Sequence, residues 1–312
     1  MQRYNLFLCK QIKTSTILHT PHKSGFVSII GCPNVGKSTL LNALVGERLS
    51  IITSKAQTTR HRIMGIVNGD DYQIIFSDTP GILKPSYKLQ EKMMEFVIST
   101  FQDSDVFLLI VDIYEDIALD EKYIEKLKKT QVPVLLLLNK IDLASQEILE
   151  KKVEEWKIKL PNAEIIPISA LKNFNLDHVL KRITQLLPIG EAFYDKDTLT
   201  DKPEKFFVSE IIREKILLRY SQEIPYSVEV VINSFKEEEN LIRIQADIIA
   251  ERESQKAIII GHKGESLKKV GTMARLEAEK FFGKKIFLEL FVKVSKDWRN
   301  SDSNLKNFGY QS

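Results

Sequence analysis

A chain of 312 residues with 43% hydrophobic and 28% charged residues has the composition of an ordinary folded protein, at a length that suits two domains. Its 13 Gly and 10 Pro exclude a collagen-like or linker-like chain, and 45 Lys+Arg against 42 Asp+Glu leave a net charge of +3, too small for a global clamp on nucleic acid. The two cysteines, Cys9 and Cys32, have neither metal-ligand spacing nor a disulfide framework, which suits a reducing cytosol, and no run approaches the roughly 18 apolar residues of a membrane span.

Residues 1–46 contain no acidic side chain, whereas Arg3, Lys10, Lys13, Lys23 and Lys37 are basic. Two readings stay open: a mitochondrial transit peptide, or an extension over 1–21 ahead of a domain that begins near His22. From 26 to 188 short apolar strands alternate with amphipathic helices. The pattern predicts strands at 26–30, 72–77, 106–112, 134–138 and 165–168. Helices are predicted at 39–45, 120–130, 147–160 and 175–186, the last stopped by Pro188. Such alternation specifies an α/β domain, doubly wound around a mostly parallel sheet, here 22–190. Residues 191–205 are polar, contain Pro203 and read as a linker. The order then changes to a helix at 207–220, strands at 227–235 and 241–250, an apolar segment at 256–260 read as a strand, a Gly-containing turn, a helix, and a strand at 286–294. That predicts a smaller α+β unit over 206–299, with a tail at 300–312.

The chemistry begins where the first strand ends. Gly31, Cys32, Pro33, Asn34, Val35, Gly36, Lys37, Ser38 and Thr39 run from that strand into a helix, the required context of a phosphate-binding loop. Its glycines let backbone N–H groups point at phosphate oxygens, and the helix N-terminus adds partial positive charge. Lys37, expected on a solvent-lined loop, reaches the β and γ phosphates, and Ser38 ligates Mg²⁺. Asn139, Lys140 and Asp142 follow directly on the strand at 134–138. A carboxylate at Asp142 accepts both the N1–H and the exocyclic amine N–H of guanine, whereas adenine presents an acceptor at N1. Ser169, Ala170 and Leu171 follow the next strand and offer a backbone N–H to the guanine oxygen. Asp78, Thr79, Pro80 and Gly81 follow the strand at 72–77, with Asp78 holding Mg²⁺ through water and the Gly81 N–H meeting the γ-phosphate. All four elements sit at strand C-terminal ends, the ligand edge of an open α/β sheet.

With these motifs in this order, the chain resembles the Era GTPases, of the TRAFAC class, over about residues 22–299. The run Lys55-Ala56-Gln57-Thr58-Thr59-Arg60-His61-Arg62 looks like the family's first switch, and by that resemblance Thr59 senses Mg²⁺ and the γ-phosphate. Lys37, Thr59 and Gly81 then form the catalytic set. Ile82 stands where Ras-like GTPases place a water-orienting glutamine, a hydrophobic substitution that the resembled family shares. Isoleucine cannot orient water, so intrinsic hydrolysis is expected to be slow, with the water placed by backbone, a switch residue or the substrate phosphate. Asn34 resembles the asparagine that ligates K⁺ in related GTPases; by itself it reads alternatively as a turn residue after Pro33.

Ile258, Ile259, Ile260, Gly261, His262, Lys263 and Gly264, followed by a helix, look like a K-homology motif. Two glycines let the loop approach a phosphodiester, and the adjacent apolar segment floors a groove for unstacked bases. Between 256 and 293 nine Lys or Arg face four Glu, a surplus of five that exceeds the whole chain's +3, and Lys268, Lys269 and Arg275 stand beside the loop. The order of elements resembles a type II K-homology fold. The family resemblance implies GTP hydrolysis, binding to the 3′ end region of 16S rRNA, and a role in 16S rRNA processing and 30S subunit biogenesis. It also implies Mg²⁺, with K⁺ as a second candidate ion. The implied protein is a monomer without a DNA partner, cytoplasmic with peripheral inner-membrane association. The rival readings are a nucleotide-sensing RNA-binding module with negligible turnover, a G protein acting on tRNA or large-subunit RNA, and a mitochondrial counterpart acting on small-subunit rRNA.

Overall fold

The structure, a computed structural model, describes residues 21–114 and 119–310; the readings of 1–20, with Cys9, lie outside the described residues. The first unit contains, in chain order, β1 (Lys23–Ile30), α1 (Lys37–Val45), β2 (Ile63–Asn68), β3 (Tyr72–Asp78), α2 (Lys88–Asp103), β4 (Val106–Asp112), α3 (Glu121–Lys129), β5 (Val134–Asn139), α4 (Gln146–Lys159), β6 (Ala163–Pro167) and α5 (Leu176–Leu186). Its six-stranded sheet has the order β2-β3-β1-β4-β5-β6. Every neighbouring pair is parallel except β2 with β3. This is the doubly wound, mostly parallel architecture that the strand–helix alternation predicts. Central strands such as β5 are apolar on both faces because both faces are buried.

Two elements, β2 and α2, escape the periodicity. β2 is six residues long and contains Gly65, where a Cβ would lie 2.8 Å from Val45 Cγ2 of α1. It is also the edge strand, and residues 191–205 cover it instead of hanging free. Ile66 N–H donates to Leu199 O at 2.9 Å, and Met64 N–H donates to Asp201 Oδ1 at 3.0 Å. An edge strand so occupied no longer offers itself to another chain.

The second unit comprises α6 (Glu204–Arg219), β7 (Val228–Glu237), β8 (Leu241–Ala250), α7 (Glu253–Ile260), α8 (Glu265–Phe282) and β9 (Lys285–Val294), with sheet order β7-β8-β9. β7 pairs antiparallel and β9 parallel to β8. One expectation fails here: 256–260 is not a strand but the second half of α7. Three consecutive isoleucines favour a strand by propensity. Caps and packing override it, because Gln255 Oε1 accepts the Glu251 and Arg252 N–H groups at 3.0 Å each. Ile259 then enters the core while Ile258, one position round the helix, stays exposed.

Residues beyond 299 also differ from a bare tail. A 3₁₀ turn, Trp298–Asn300, leads into α9 (Asp302–Asn307), and Trp298, Leu305 and Tyr310 are buried with the core of the first unit. Between the units lies α6. Its charged residues Glu210, Arg213, Glu214 and Lys215 are all buried, paired as Arg213–Glu210 and Lys215–Glu214 at 2.5 and 2.7 Å.

His61 joins this contact region, stacked on the Tyr310 ring with centroids 4.3 Å apart. Burial pushes its pKa down from 6.5 to about 3, and the charges of Arg213, Lys202 and Arg60 push the same way. The unfolded chain takes up a proton near 6.5, so this group's contribution is complete above that pH. It is lost as the pH falls from 6.5 toward 3, by at most about 1.4 kcal/mol per pH unit. His61→Phe keeps the stacking and removes the titration. The stability difference between the two proteins, from denaturant midpoints, should be flat above pH 7 and shift in the variant's favour below 6.5. A difference independent of pH over that range would mean that His61 titrates normally in the fold.

Candidate nucleotide and RNA sites

The loop after β1 closes on itself. Gly36 has φ 106°, and a Cβ there would lie 2.3 Å from Asn139 Nδ2, so only glycine fits. Lys37 does not sit on a solvent-lined loop as expected: it is 6% exposed, and its Nζ donates to Cys32 O at 2.7 Å and Gly31 O at 3.2 Å. The loop wraps the ammonium because its own carbonyls hold it. Pro33, Gly36, Ser38 and Thr39 line the same open cavity as Lys37, together with Gly81 and with Gln57, Thr58 and Thr59 of the first switch.

Three oxygens converge at the floor of that cavity. Ser38 Oγ donates to Asp78 Oδ2 at 2.7 Å and lies 2.9 Å from Thr59 Oγ1, which is itself 3.5 Å from Asp78 Oδ2. Asp78 is fully buried, and its other oxygen, Oδ1, has no hydrogen-bond partner among the described residues. Burial pushes the Asp78 carboxyl up, while the Lys37 charge and the Ser38 hydroxyl pull it back down. An orphaned carboxylate oxygen beside two hydroxyls is the donor set of a small hard cation, and it fits Mg²⁺.

Other predicted residues serve the framework. Thr79 is fully buried and donates from Oγ1 to Ile29 O at 2.8 Å. Cys32, Val35, Pro80 and Ile82 are buried as well. Ile82 N–H donates to Gly31 O at 3.0 Å, which ties the segment after Gly81 to the loop. At Gly81 a Cβ would lie 2.7 Å from Pro33 Cα, so glycine permits that approach.

The base side is braced by Asn139. Its Nδ2 donates to Val35 O at 2.8 Å and its Oδ1 accepts from Ala170 N–H at 2.9 Å. The Ala170 N–H is therefore already committed, and Ser169, fully buried, pairs through its backbone with Phe174. Within 169–171, Leu171 is the exposed member. Lys140 adopts φ 66°, and its Nζ reaches Asn34 O at 3.0 Å and Asp112 Oδ2 at 2.5 Å. Asp142 sits exposed in the 3₁₀ turn Ile141–Leu143. Asn34, exposed with φ 64°, donates from Nδ2 to Ser54 O at 3.1 Å, just ahead of the first switch. The cavity wall includes Ile51, Ile52 and Thr53, which lie outside every motif, and Gln57 and Thr58, which lie in the first-switch run but to which the motifs assign no role. For Gln57 and Thr58 the signal was their place directly before Thr59.

In the second unit, Gly264, Lys268 and Arg275 line a groove between α8 and β9, together with Leu267, Gly271 and Leu290. His262 and Lys263 are exposed in the turn before α8, where Gly261, Lys263 and Gly264 all have positive φ. Lys269 is exposed but does not line the groove, and Arg275 pairs with Glu279 at 2.9 Å. Ile259 is 0% exposed and cannot meet a ligand, whereas Ile258 at 53% can. Leu288 and Leu290 supply the apolar wall expected of 256–260.

Comparison with known proteins fits this geometry. Residues 26–140 match the model of the 50S ribosome-binding GTPases, and residues 223–299 match the K-homology domain. GTPase Era of Staphylococcus epidermidis is 47% identical over 293 residues, which is 93% of this chain and 98% of that one. The chain belongs to the Era GTPase family. Among solved structures, Era in complex with MgGDPNP and nucleotides 1506–1542 of 16S ribosomal RNA superposes with a TM-score of 0.89 at 42% identity. The match covers 93% of this chain and 100% of that one. A single-residue variant of Aquifex aeolicus Era bound to GDP and tetrafluoroaluminate matches with the same TM-score, identity and coverage.

The neighbouring isoleucines give a test of the helical phase of α7. Ile258→Asp should leave the melting transition within about 0.5 kcal/mol of wild type, as exposed changes do. Ile259→Asp puts an unpaired carboxylate in the core and should cost at least about 4 kcal/mol, unfolding the second unit. If both variants melt alike in thermal denaturation, the helical phase of α7 is wrong.

Proposed function

We propose that this chain binds and hydrolyses GTP in the cavity between the loop at 31–38 and the first switch. Its K-homology unit binds the 3′ end region of 16S rRNA in the groove between α8 and β9, in 16S rRNA processing and 30S subunit biogenesis. The observation that carries the enzymatic half is the cluster of Ser38, Thr59 and Asp78 oxygens beside Lys37, with Asp78 Oδ1 unpartnered among the described residues. The solved complex of Era with both MgGDPNP and nucleotides 1506–1542 of 16S ribosomal RNA supports both halves.

In this reading the backbone N–H groups of the loop hold the β-phosphate, and Lys37 turns its ammonium from the Gly31 and Cys32 carbonyls to the β and γ oxygens. The Gly81 N–H donates to a γ oxygen, and Thr59 closes over it. The Ser38 and Thr59 hydroxyls, with Asp78 through water, would hold Mg²⁺, which would supply neutralising charge beside the β and γ phosphates. Asp142 accepts both guanine N–H donors, while Asn139 fixes the distance between the base turn and the phosphate loop. Asn34 Oδ1, free of the Ser54 contact made by Nδ2, is the candidate K⁺ ligand. A cytoplasmic location with peripheral contact to the inner membrane belongs to the same proposal; among the described residues no helix is long and apolar enough to cross a membrane. Multiple-turnover phosphate release separates this enzyme from a module that only senses nucleotide.

Asp142→Asn should invert the base preference, since a carboxamide matches the xanthine carbonyl where the carboxylate matched the guanine amine. GTP affinity should fall by about a hundredfold, roughly 2.7 kcal/mol, with a gain for xanthosine triphosphate. Unchanged GTP affinity would remove Asp142 from the base site.

The RNA half is tested by changing His262 and Lys263 together to Asp. The glycines remain, so the turn survives, but two negative charges face the phosphodiester and the Lys263 charge is lost. RNA affinity should drop at least about tenfold, with a salt slope shallower by about one, while GTP binding is unchanged. Full RNA affinity in the double variant would place the RNA surface elsewhere.

A further inference from the structure

GTP hydrolysis needs a group that orients the attacking water, and Ile82 cannot do it: its side chain is buried and its N–H is given to Gly31 O. Thr59 is committed to the Ser38 and Asp78 oxygens. Two carboxamides border the cavity, Asn34 and Gln57. Asn34 is exposed, with its Nδ2 bonded to Ser54 O.

Gln57 is held very differently. Its φ is 57°, a left-handed conformation that disfavours any residue with a side chain, and strain of this kind persists only where the surroundings over-determine it. Three contacts do so here. Tyr87 Oη donates to Gln57 Oε1 at 2.7 Å, Arg213 Nη1 of α6 donates to Gln57 O at 3.5 Å, and Arg213 Nη2 donates to Thr58 O. Tyr87 is fixed in turn, with the Arg299 guanidinium 4.7 Å from its ring centroid. No described residue accepts a hydrogen bond from Gln57 Nε2, so the amide donor is left over at the cavity wall.

We infer that Gln57, from the first switch, orients the attacking water in place of the glutamine that Ile82 replaces, with Tyr87 as its positioning residue. The second lone pair of Oε1 accepts one water O–H, and Nε2–H donates to a γ-phosphate oxygen. The water oxygen forms the new P–O bond while the bond from the γ-phosphorus to the β–γ bridging oxygen breaks and its electron pair leaves with GDP. The water proton passes to a phosphate oxygen. Gln57 itself neither gains nor loses a proton. The inference rests on the cavity being the γ-phosphate site.

The test uses the full chain and single-turnover GTP hydrolysis. Gln57→Gly keeps the left-handed backbone without strain and removes the side chain with its carboxamide. Its rate should fall at least about tenfold while GDPNP affinity stays within about twofold, and binding of GDP with aluminium fluoride, which mimics the transferring phosphoryl, should be lost. Tyr87→Phe should lower the rate by a smaller factor and add nothing in the Gln57→Gly background. Hydrolysis within twofold of wild type in Gln57→Gly overturns the inference. So does an equal loss of rate and GDPNP affinity, which would make Gln57 part of the binding wall only. Lys37→Ala checks the cavity separately: wild-type GTP affinity there removes the phosphate site, and the inference with it.

Discussion

Arg60 carries a permanent positive charge where no water reaches, and the contact between the two units is organised around satisfying it. Burying a lone charge costs several kcal/mol or more unless it is paired, and here both Nη groups are met while Nε has no partner among the described residues. Nη1 donates to Val228 O at 2.7 Å and to Glu229 Oε2 at 3.2 Å; Nη2 donates to Pro225 O and Tyr226 O at 3.2 and 3.3 Å. Glu229 needs a second partner, and Tyr310 supplies it, donating from Oη at 2.6 Å. Burial works against the Arg60 charge and the Glu229 carboxylate favours it, and the guanidinium stays protonated. One side chain thus dictates the path of 225–229 and brings the end of the chain back to the first unit.

Arg60 is also covalently next to Thr59, which stands among the oxygens at the floor of the nucleotide cavity. The preceding residues are gripped from the same side: Arg213 holds the Gln57 and Thr58 carbonyls, and Lys55 Nζ donates to Tyr220 O. Tyr220 Oη in turn donates to Ile259 O at 2.8 Å and lies 2.9 Å from Ser266 Oγ, on either flank of the turn at 261–264. A first switch that moves must either carry this part of the second unit with it or break contacts to buried charges, and breaking one such pair costs about 3–5 kcal/mol. Close-packed interfaces of this kind have discrete arrangements and do not deform continuously. Whatever coupling exists between the cavity and the groove is reciprocal, because a binding free energy that one site feels the other must feel too.

Most of the nucleotide cavity was legible because its chemistry is local. A loop between a strand and a helix needs glycines at fixed places, and the carboxylates at the ends of β3 and after β5 announce themselves by position. The sheet followed from runs such as Val134–Leu138, which only a doubly covered strand would carry. The second unit was legible in outline but not in phase. Residues 256–260 favour a strand by propensity, and what overrides it is a single cap, Gln255, together with Ile259 facing inward. The end of the chain failed for a related reason. Leu305 and Tyr310 are isolated apolar residues in a polar stretch, and nothing short of the pocket they fill marks them as core.

The contact region between the units was the least legible part, and electrostatics explains why. A run such as Lys55–Arg62, or a helix carrying Glu210, Arg213, Glu214 and Lys215, reads as a solvated surface because an unpaired charge belongs in water. That rule reverses only when each charge finds a partner, and here the partners lie far along the chain: Arg60 meets Val228 across 168 residues and Arg213 meets Thr58 across 155. No periodicity encodes a pairing at that separation. Gln57 belongs to the same class. In sequence it is one polar residue in a polar run; its Tyr87 partner lies 30 residues further on in the first unit, and the Arg213 contacts to the Gln57 and Thr58 carbonyls come from the second.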